Sequence, residues 1–263
     1  MTNNFNGYVD SDYLSAAKSL FAPIKQRSYV LMGDLLDKQV LDIGCGPGLD
    51  TIALATLVGK KGRVEGIDYD PAMVEEATSL TDSNNQSHKV HHQVASATDL
   101  PFADNHFDAV RSERLLMHLT EPECALAEAV RVTKPNGRVV VVDTDWGSLS
   151  THTGADNIER RLVQFLAESF LANGYSGRRL RGLFAGQALR EVRIETDTIH
   201  TADLNLWQLM TQANRVAEVA LERGILTDSE IRQWQDALHR SAENDTFFGS
   251  VSVVTATGTV SGA

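Results

Sequence analysis

The chain is 263 residues long, with 42% hydrophobic and 22% charged residues, enough to bury the core of one large α/β domain. Asp and Glu outnumber Lys and Arg by 35 to 24, and the resulting net charge of −11 repels phosphate backbones, so nucleic acid is a poor main partner. The two cysteines, Cys45 and Cys124, have no metal-type spacing and suit a reducing cytoplasm; no apolar stretch reaches the length of a membrane span, and the first residues lack a leader's basic-then-apolar pattern.

In chain order, "YLSAAKSLFAPIKQRSYVLM" has a helical period and reads as an N-terminal helical cover within residues 1–38. From Gln39 short apolar runs alternate with helical patterns, which predicts βαβ units and a parallel sheet over a core spanning 39–146. "VLDI" is the first strand and "TIALATLVG" a helix that stops at Gly59. "RVEGID" is the second strand; Asp70 then caps a helix whose first position is Pro71, where a missing N–H costs nothing. "KVHHQVA" and "FDAVRS" are strands three and four, "EPECALAEAVRV" is a helix, "KPNG" a turn, and "RVVVVD" a strand apolar on both faces. "ADNIERRLVQFLAESFLANG" is an amphipathic helix ended by Gly174, and "GRRLRG" is a solvated turn. "EVRIETDTIHT" is strand six and "FFGSVSVVTATGTV" the last strand. Between them, residues 203–243 form a helical pair inserted as a lid, with Thr227 and Glu230 at capping-box spacing.

The chemistry concentrates at "VLDIGCGPGLD". A strand that runs through glycines into a helix brings a ligand against main-chain N–H groups at the helix start. Gly44, Gly46 and Gly48 do not fit the dinucleotide spacing, because the residue three after Gly46 is Leu49. Asp42 precedes the first glycine, and no triphosphate-binding lysine follows. Asp68 ends strand two, where a carboxylate accepts both hydroxyls of a ribose; Asp70 is better placed than Asp68 to cap the helix.

"VLDIGCGPG", "VEGIDYDPAMV", "ATDLPFADNHFDAV" and "RVTKPNGRVVVVD", in this order and at these separations, make the stretch from Gln39 to Trp146 similar to a class I S-adenosylmethionine-dependent methyltransferase of the small-molecule type. The resemblance implies a Rossmann-like, doubly wound, seven-stranded sheet, mostly parallel, with a reversed last strand and a helical cover. It implies S-adenosylmethionine as cofactor, S-adenosylhomocysteine as product, and no metal. Asp42, Gly44, Cys45 and Gly46 would hold the methionine part, Asp68 the ribose, and Tyr69 and Met73 would flank the adenine. The acid at the adenine edge falls at Ser96, a departure; Ser96, the amide of Ala97 or Asp99 would take its place. Glu113 falls near the methionine end.

Methyl transfer from a sulfonium is an in-line displacement governed by positioning, and a base is needed only where the nucleophile must lose a proton. The catalytic candidates beyond the ends of strands four and five are His118, a base near neutrality or else a packed or hydrogen-bonded histidine beside the loop, and Asp143; Arg114, which otherwise pairs with Glu113 or Glu121, and Trp146, which otherwise fills the core, are the candidates for substrate contact. His91 and His92 point to opposite faces of a strand and read as ordinary strand residues. The leading expectation is a cytoplasmic enzyme acting on a small, partly apolar metabolite, without nucleic acid or membrane partners; a homodimer is compatible with the sequence. A protein or RNA methyltransferase, or a non-catalytic cofactor-binding module, are the alternatives, and a nicotinamide oxidoreductase is disfavoured by the glycine spacing.

Overall fold

The computed structural model describes residues 11–262, with side chains over 20–262. The part of the expected N-terminal cover over 1–10 lies outside the described residues. The helix that follows, α1 (Ser11–Leu31), leads into β1 (Gln39–Ile43), α2 (Leu49–Leu57), β2 (Arg63–Asp68), α3 (Pro71–Ser83), β3 (Val90–Val94) and β4 (Phe107–Glu113). Next come α4 (Pro122–Val132), β5 (Thr133–Thr151), α5 (Asp156–Phe165), α6 (Ser176–Ala185) and β6 (Leu189–Thr201). Three helices, α7 (Leu204–Thr211), α8 (Ala213–Glu222) and α9 (Asp228–Glu243), precede β7 (Gly249–Val260).

The strands form one sheet in the order β3–β2–β1–β4–β5–β7–β6. β1 to β5 pair in parallel, while β7 runs antiparallel to both β5 and β6, which is the reversed last strand the sequence resemblance implies. Strand order reverses between β1 and β4, so the carboxyl ends of these two strands diverge into a crevice, the usual ligand position in an open α/β sheet.

Side-chain alternation places the core on both faces. Val40 and Val140 pack with Tyr29, Met32, Leu54 and Val64 on one face. Leu41, Ile43, Val139 and Val141 pack with α4 and α6 on the other. A third cluster lies beyond the strand ends, where Phe21 and Ile24 of α1 meet Leu162 of α5, Trp207 of α7 and Trp234 of α9. The cover is thus a second apolar layer continuous with α1. Among the described residues no helix is long and apolar enough to cross a membrane.

Several expectations need correction. The lid contains three helices, because Gln212 adopts a left-handed backbone (φ 52°) and separates α7 from α8. The capping box at Thr227 and Glu230 is present. The helix expected to run to Gly174 ends earlier, in a π turn over Leu166–Phe170. Gly174 instead lets the chain cross Ala167, whose Cα would lie 2.5 Å from a Cβ there. "GRRLRG" belongs to α6 and is no turn; Arg178, Arg179 and Arg181 are its exposed side, while Gly177 packs onto the β5 backbone. "KPNG" bulges from β5: the strand's pairing skips from Thr133 to Arg138, with Asn136 at φ 66°.

Candidate functional site

The glycine loop connects β1 to α2, and its three glycines have distinct tasks. All have positive φ, 74° at Gly44, 51° at Gly46 and 84° at Gly48, where a Cβ is strained. A Cβ on Gly44 would lie 3.0 Å from Leu115, and one on Gly48 would lie 2.9 Å from the Cβ of Ala77 in α3. A Cβ on Gly46 would meet nothing within 4 Å. Gly44 and Gly48 are therefore required by the protein's own packing, and Gly46 alone faces open space that a ligand can enter.

Asp68 turns back to the loop. Its Oδ2 accepts from the Gly46 amide at 2.9 Å and its Oδ1 from the Asp70 amide at 3.0 Å. Each carboxylate oxygen has two lone pairs, so each keeps one for a ribose hydroxyl. Asp70 caps α3 through the Ala72 amide at 2.9 Å, which leaves Asp68 free of that task. Tyr69 is exposed and Met73 buried on the two sides of the cleft rim. The Ser96 hydroxyl is 2.8 Å from that of Thr98 in a local turn bridged to the exposed Asp99, and Ala97 is buried beside it.

Beneath the loop lies a charge cluster that sequence reasoning missed. Arg111 of β4 is fully buried. Its Nε donates to Ser28 at 2.9 Å, Nη1 to Asp42 at 3.2 Å, and Nη2 to Glu113; Nη1 also lies 3.4 Å from Asp50. Lys25 reaches Asp50 at 2.6 Å and Glu113 at 3.1 Å, and the Tyr29 hydroxyl donates to Asp50. Burial alone would raise the Asp50 carboxyl, but Arg111 and Lys25 outweigh it and hold it well below the usual range. Burial pushes Asp42 up to about 7 against the opposing pull of Arg111. Asp42 thus belongs to the support of the loop. The Cys45 thiol is pushed up by burial and is unreactive.

Two cations, Arg111 and Lys25, face three carboxylates here, and the Oε1 of Glu113 lies 3.1 Å from Lys25 and 3.6 Å from the Arg114 Nε. The excess of carboxylate over these two cations and the open face of Gly46 suit a ligand with a cationic amino-acid end. The signal for the cluster is in "FDAVRSE": a strand period of two puts Arg111 and Glu113 on one face, and Arg111 pairs in register with Asp42.

Arg114 closes β4 with φ 53°, a left-handed conformation costly for a long side chain. Its amide donates to the Val142 carbonyl at 2.8 Å, its Nε lies 3.6 Å from Glu113, and its guanidinium covers Phe21 at 4.9 Å. It also lines a partly open cavity with Phe21, Thr144, Trp146, Trp207 and Met210. The two residues expected to touch substrate, Arg114 and Trp146, are therefore brought together, and Arg114 also borders the Glu113 cluster.

The expected catalytic pair is divided. His118 is exposed at the end of a short 3-10 turn, Leu116–His118. Desolvation by its surroundings, and then the Arg114 charge, hold its imidazolium below the ordinary value, with Asp68 opposing. Asp143, by contrast, is fully buried. It accepts from the Met117 amide at 3.1 Å and the Thr144 amide at 2.9 Å, and burial pushes it up to about 7. Asn173 holds the same turn by donating to the Leu116 carbonyl at 3.2 Å. Through the Met117 amide Asp143 is bonded to the turn carrying His118. His92, at 2.9 Å from Thr51, and the exposed His91 point to opposite sides of β3, as expected of strand residues.

Residues 36–174 match a family model described as a methyltransferase domain. A 37.1 kDa protein of a Streptomyces fradiae transposon is 34% identical over 234 residues, covering 86% of this chain and 66% of its own length. A demethylmenaquinone methyltransferase of Bacillus licheniformis is 38% identical over 104 residues, 40% of this chain and 44% of its own. The chain thus spans two thirds or less of these relatives' lengths. The solved structure of a geranyl diphosphate C-methyltransferase from Streptomyces coelicolor superposes with a TM-score of 0.61 at 17% identity, over 98% of this chain and 87% of that one; the likeness is one of fold.

Proposed function

Since the chain belongs to the class I S-adenosylmethionine-dependent methyltransferases, we propose that it transfers the cofactor's methyl group to a small, largely apolar acceptor held beneath the helical cover. The observation that carries this reading is the largely apolar cavity walled by Phe21, Trp146, Trp207 and Met210, which meets the cofactor crevice at Arg114. Apolar and aromatic walls with a few placed polar groups are the usual make-up of small-molecule sites. A relative named for methyl transfer to demethylmenaquinone supports a small-molecule acceptor.

S-adenosylmethionine, when bound, supplies an electrophilic methyl on a sulfonium. Asp68 holds the ribose with its two remaining lone pairs, Gly46 admits the chain of the cofactor, and Glu113 accepts from its ammonium. Tyr69 and Met73 flank the adenine, with Ser96 and Ala97 at its edge. Phe21, Trp146 and the cover exclude water from the path of displacement. Holding the nucleophile in line supplies most of the acceleration, which reaches roughly 7–11 kcal/mol in favourable cases. For an acceptor hydroxyl, His118 takes the proton: desolvation and Arg114 disfavour its charged form, and Asp143 is bonded to the turn that presents it.

The test is titration calorimetry with S-adenosylhomocysteine, then incubation of the protein with methyl-labelled cofactor and a cell extract. Label in the small-molecule fraction supports the reading. Absence of S-adenosylhomocysteine binding by folded protein, or label confined to protein or RNA, overturns it.

A further inference from the structure

Behind the cavity at Arg114 lies a second, partly open one, lined by α5, α7, α8, α9 and the end of β5. Leu149, Trp207 and Thr211 line both, so Trp207 stands as the partition between two joined compartments. The outer compartment is walled by aliphatic side chains, including Leu162, Val163, Leu166 and Val216.

Its polar features are specific. Trp207 and Trp234 are 5% and 2% exposed, both line the outer compartment, and neither indole N–H has a hydrogen-bond partner. Trp146, the third tryptophan, does satisfy its N–H, on the sulfur of Met117 at 3.1 Å. Buried donors in folded proteins are almost always paired, and an unpaired one costs free energy that a ligand acceptor recovers. Gly249 leaves the space that Trp207 occupies: a Cβ there would lie 2.2 Å from the indole Cδ1 and 2.5 Å from Nε1. The charged side chain in the outer lining is Glu159, buried and held by the Thr153 hydroxyl. A carboxylate in an apolar enclosure repels an anionic ligand.

We propose that this outer compartment binds the distal part of an elongated, uncharged, apolar acceptor, whose carbonyl or ether oxygen accepts from the Trp207 or Trp234 indole N–H. The inference rests on the methyl-transfer reading for the word acceptor; the binding chemistry follows from the compartment itself. Chain length selects substrates by how far they pass Trp207.

Titration calorimetry of the full chain with undecan-2-one and pentan-2-one tests it, with S-adenosylhomocysteine titrated into the same samples. Undecan-2-one binds at least roughly tenfold more tightly than pentan-2-one, because only the longer chain buries apolar surface beyond Trp207. Trp207→Phe and Trp234→Phe keep the aromatic wall but remove one donor each, and together lower ketone affinity roughly three- to tenfold. Val163→Phe, at a half-buried wall position that tolerates change, weakens undecan-2-one and leaves pentan-2-one unaffected. Equal binding of undecan-2-one and pentan-2-one, ketone affinity unchanged in both tryptophan variants, or unchanged undecan-2-one binding in Val163→Phe overturns the proposal. Binding of S-adenosylhomocysteine without ketone binding refutes the compartment alone; ketone binding without S-adenosylhomocysteine binding refutes the methyl-transfer reading alone.

Discussion

Replacing Arg111 with methionine removes the centre of the buried charge cluster at nearly constant volume. The wild-type guanidinium serves Ser28 at 2.9 Å, Asp42 at 3.2 Å and Asp50 at 3.4 Å, besides Glu113, and none of it reaches solvent. Without it, three carboxylates remain around Lys25 alone. Removing one member of a buried ion pair costs about 3–5 kcal/mol, and three orphaned partners place Arg111→Met toward the top of that range. Arg111→Lys keeps the charge, but one ammonium cannot span β4, β1 and α1 as the fork does; losing one charged hydrogen bond costs about 1.5–3 kcal/mol. Urea unfolding at pH 7 measures both. A second signature is the sign of the pH dependence. In Arg111→Met the unpaired carboxyls titrate higher in the folded than in the unfolded state, so the folded protein binds more protons. The deficit must therefore shrink on going from pH 7 to pH 5. Adding Asp42→Asn to Arg111→Met should restore part of the loss. A cost below about 1 kcal/mol for Arg111→Met, or a deficit that grows in acid, refutes the account of the cluster as a mutually supporting set.

The glycine loop gives a paired prediction. Gly46→Ala costs about 1–2 kcal/mol for the left-handed backbone and lowers S-adenosylhomocysteine affinity, whereas Gly48→Ala adds a 2.9 Å clash with Ala77 and costs about 1–3 kcal/mol more; thermal melts and calorimetry that rank the two variants the other way would contradict the assignment. Asp68→Asn should weaken S-adenosylhomocysteine binding by about 1.5–3 kcal/mol, and unchanged affinity would remove Asp68 from the ribose site. Asp143 has its carboxyl at about 7 in the folded protein against an ordinary 3.8, so its contribution to stability is full below the ordinary value and lost as pH rises through about 7. Asp143→Asn should flatten the fall in stability between pH 5 and pH 8, by at most about 4 kcal/mol, and an unaltered slope in urea midpoints would count against it.

The strands from β1 to β5 and the reversed β7 were legible because local periodicity, caps and turn residues agree with the final packing. Pro71 and Asp70 open α3 as local chemistry dictates, and Asp68 ends β2 where the ribose acid was expected. What escaped the sequence depends on contacts between distant segments. The break at Gln212 has neither glycine nor proline to announce it; it is imposed where α7 and α8 must both face Trp234 and Leu238. The helix α6 hides behind Gly177 and Gly182, and Gly177 is there because a Cβ would meet the Asp145 amide at 2.8 Å. Arg114 at the end of β4 and Trp146 within β5 come together at one cavity, as the expectation of substrate contact there requires. Arg111 was not singled out, because a buried arginine is legible only once its three carboxylates are known to converge. The hydrogen bonds of Asp143 to the turn at Met117 depend on packing that its place in the chain does not reveal.

The chain leaves the sheet at Thr201 and returns at Gly249, and these two residues are paired partners in register. Topologically, α7, α8 and α9 are the tip of a β-hairpin. Such a tip can be lengthened, shortened or exchanged without any strand changing neighbours, since both of its feet stay clamped to each other. Acceptor preference can then diverge as a cassette while β1 to β4, with the glycine loop and Asp68, stay constant. Descendants of one gene would come to differ in what they methylate long before they differ in how they hold the methyl donor.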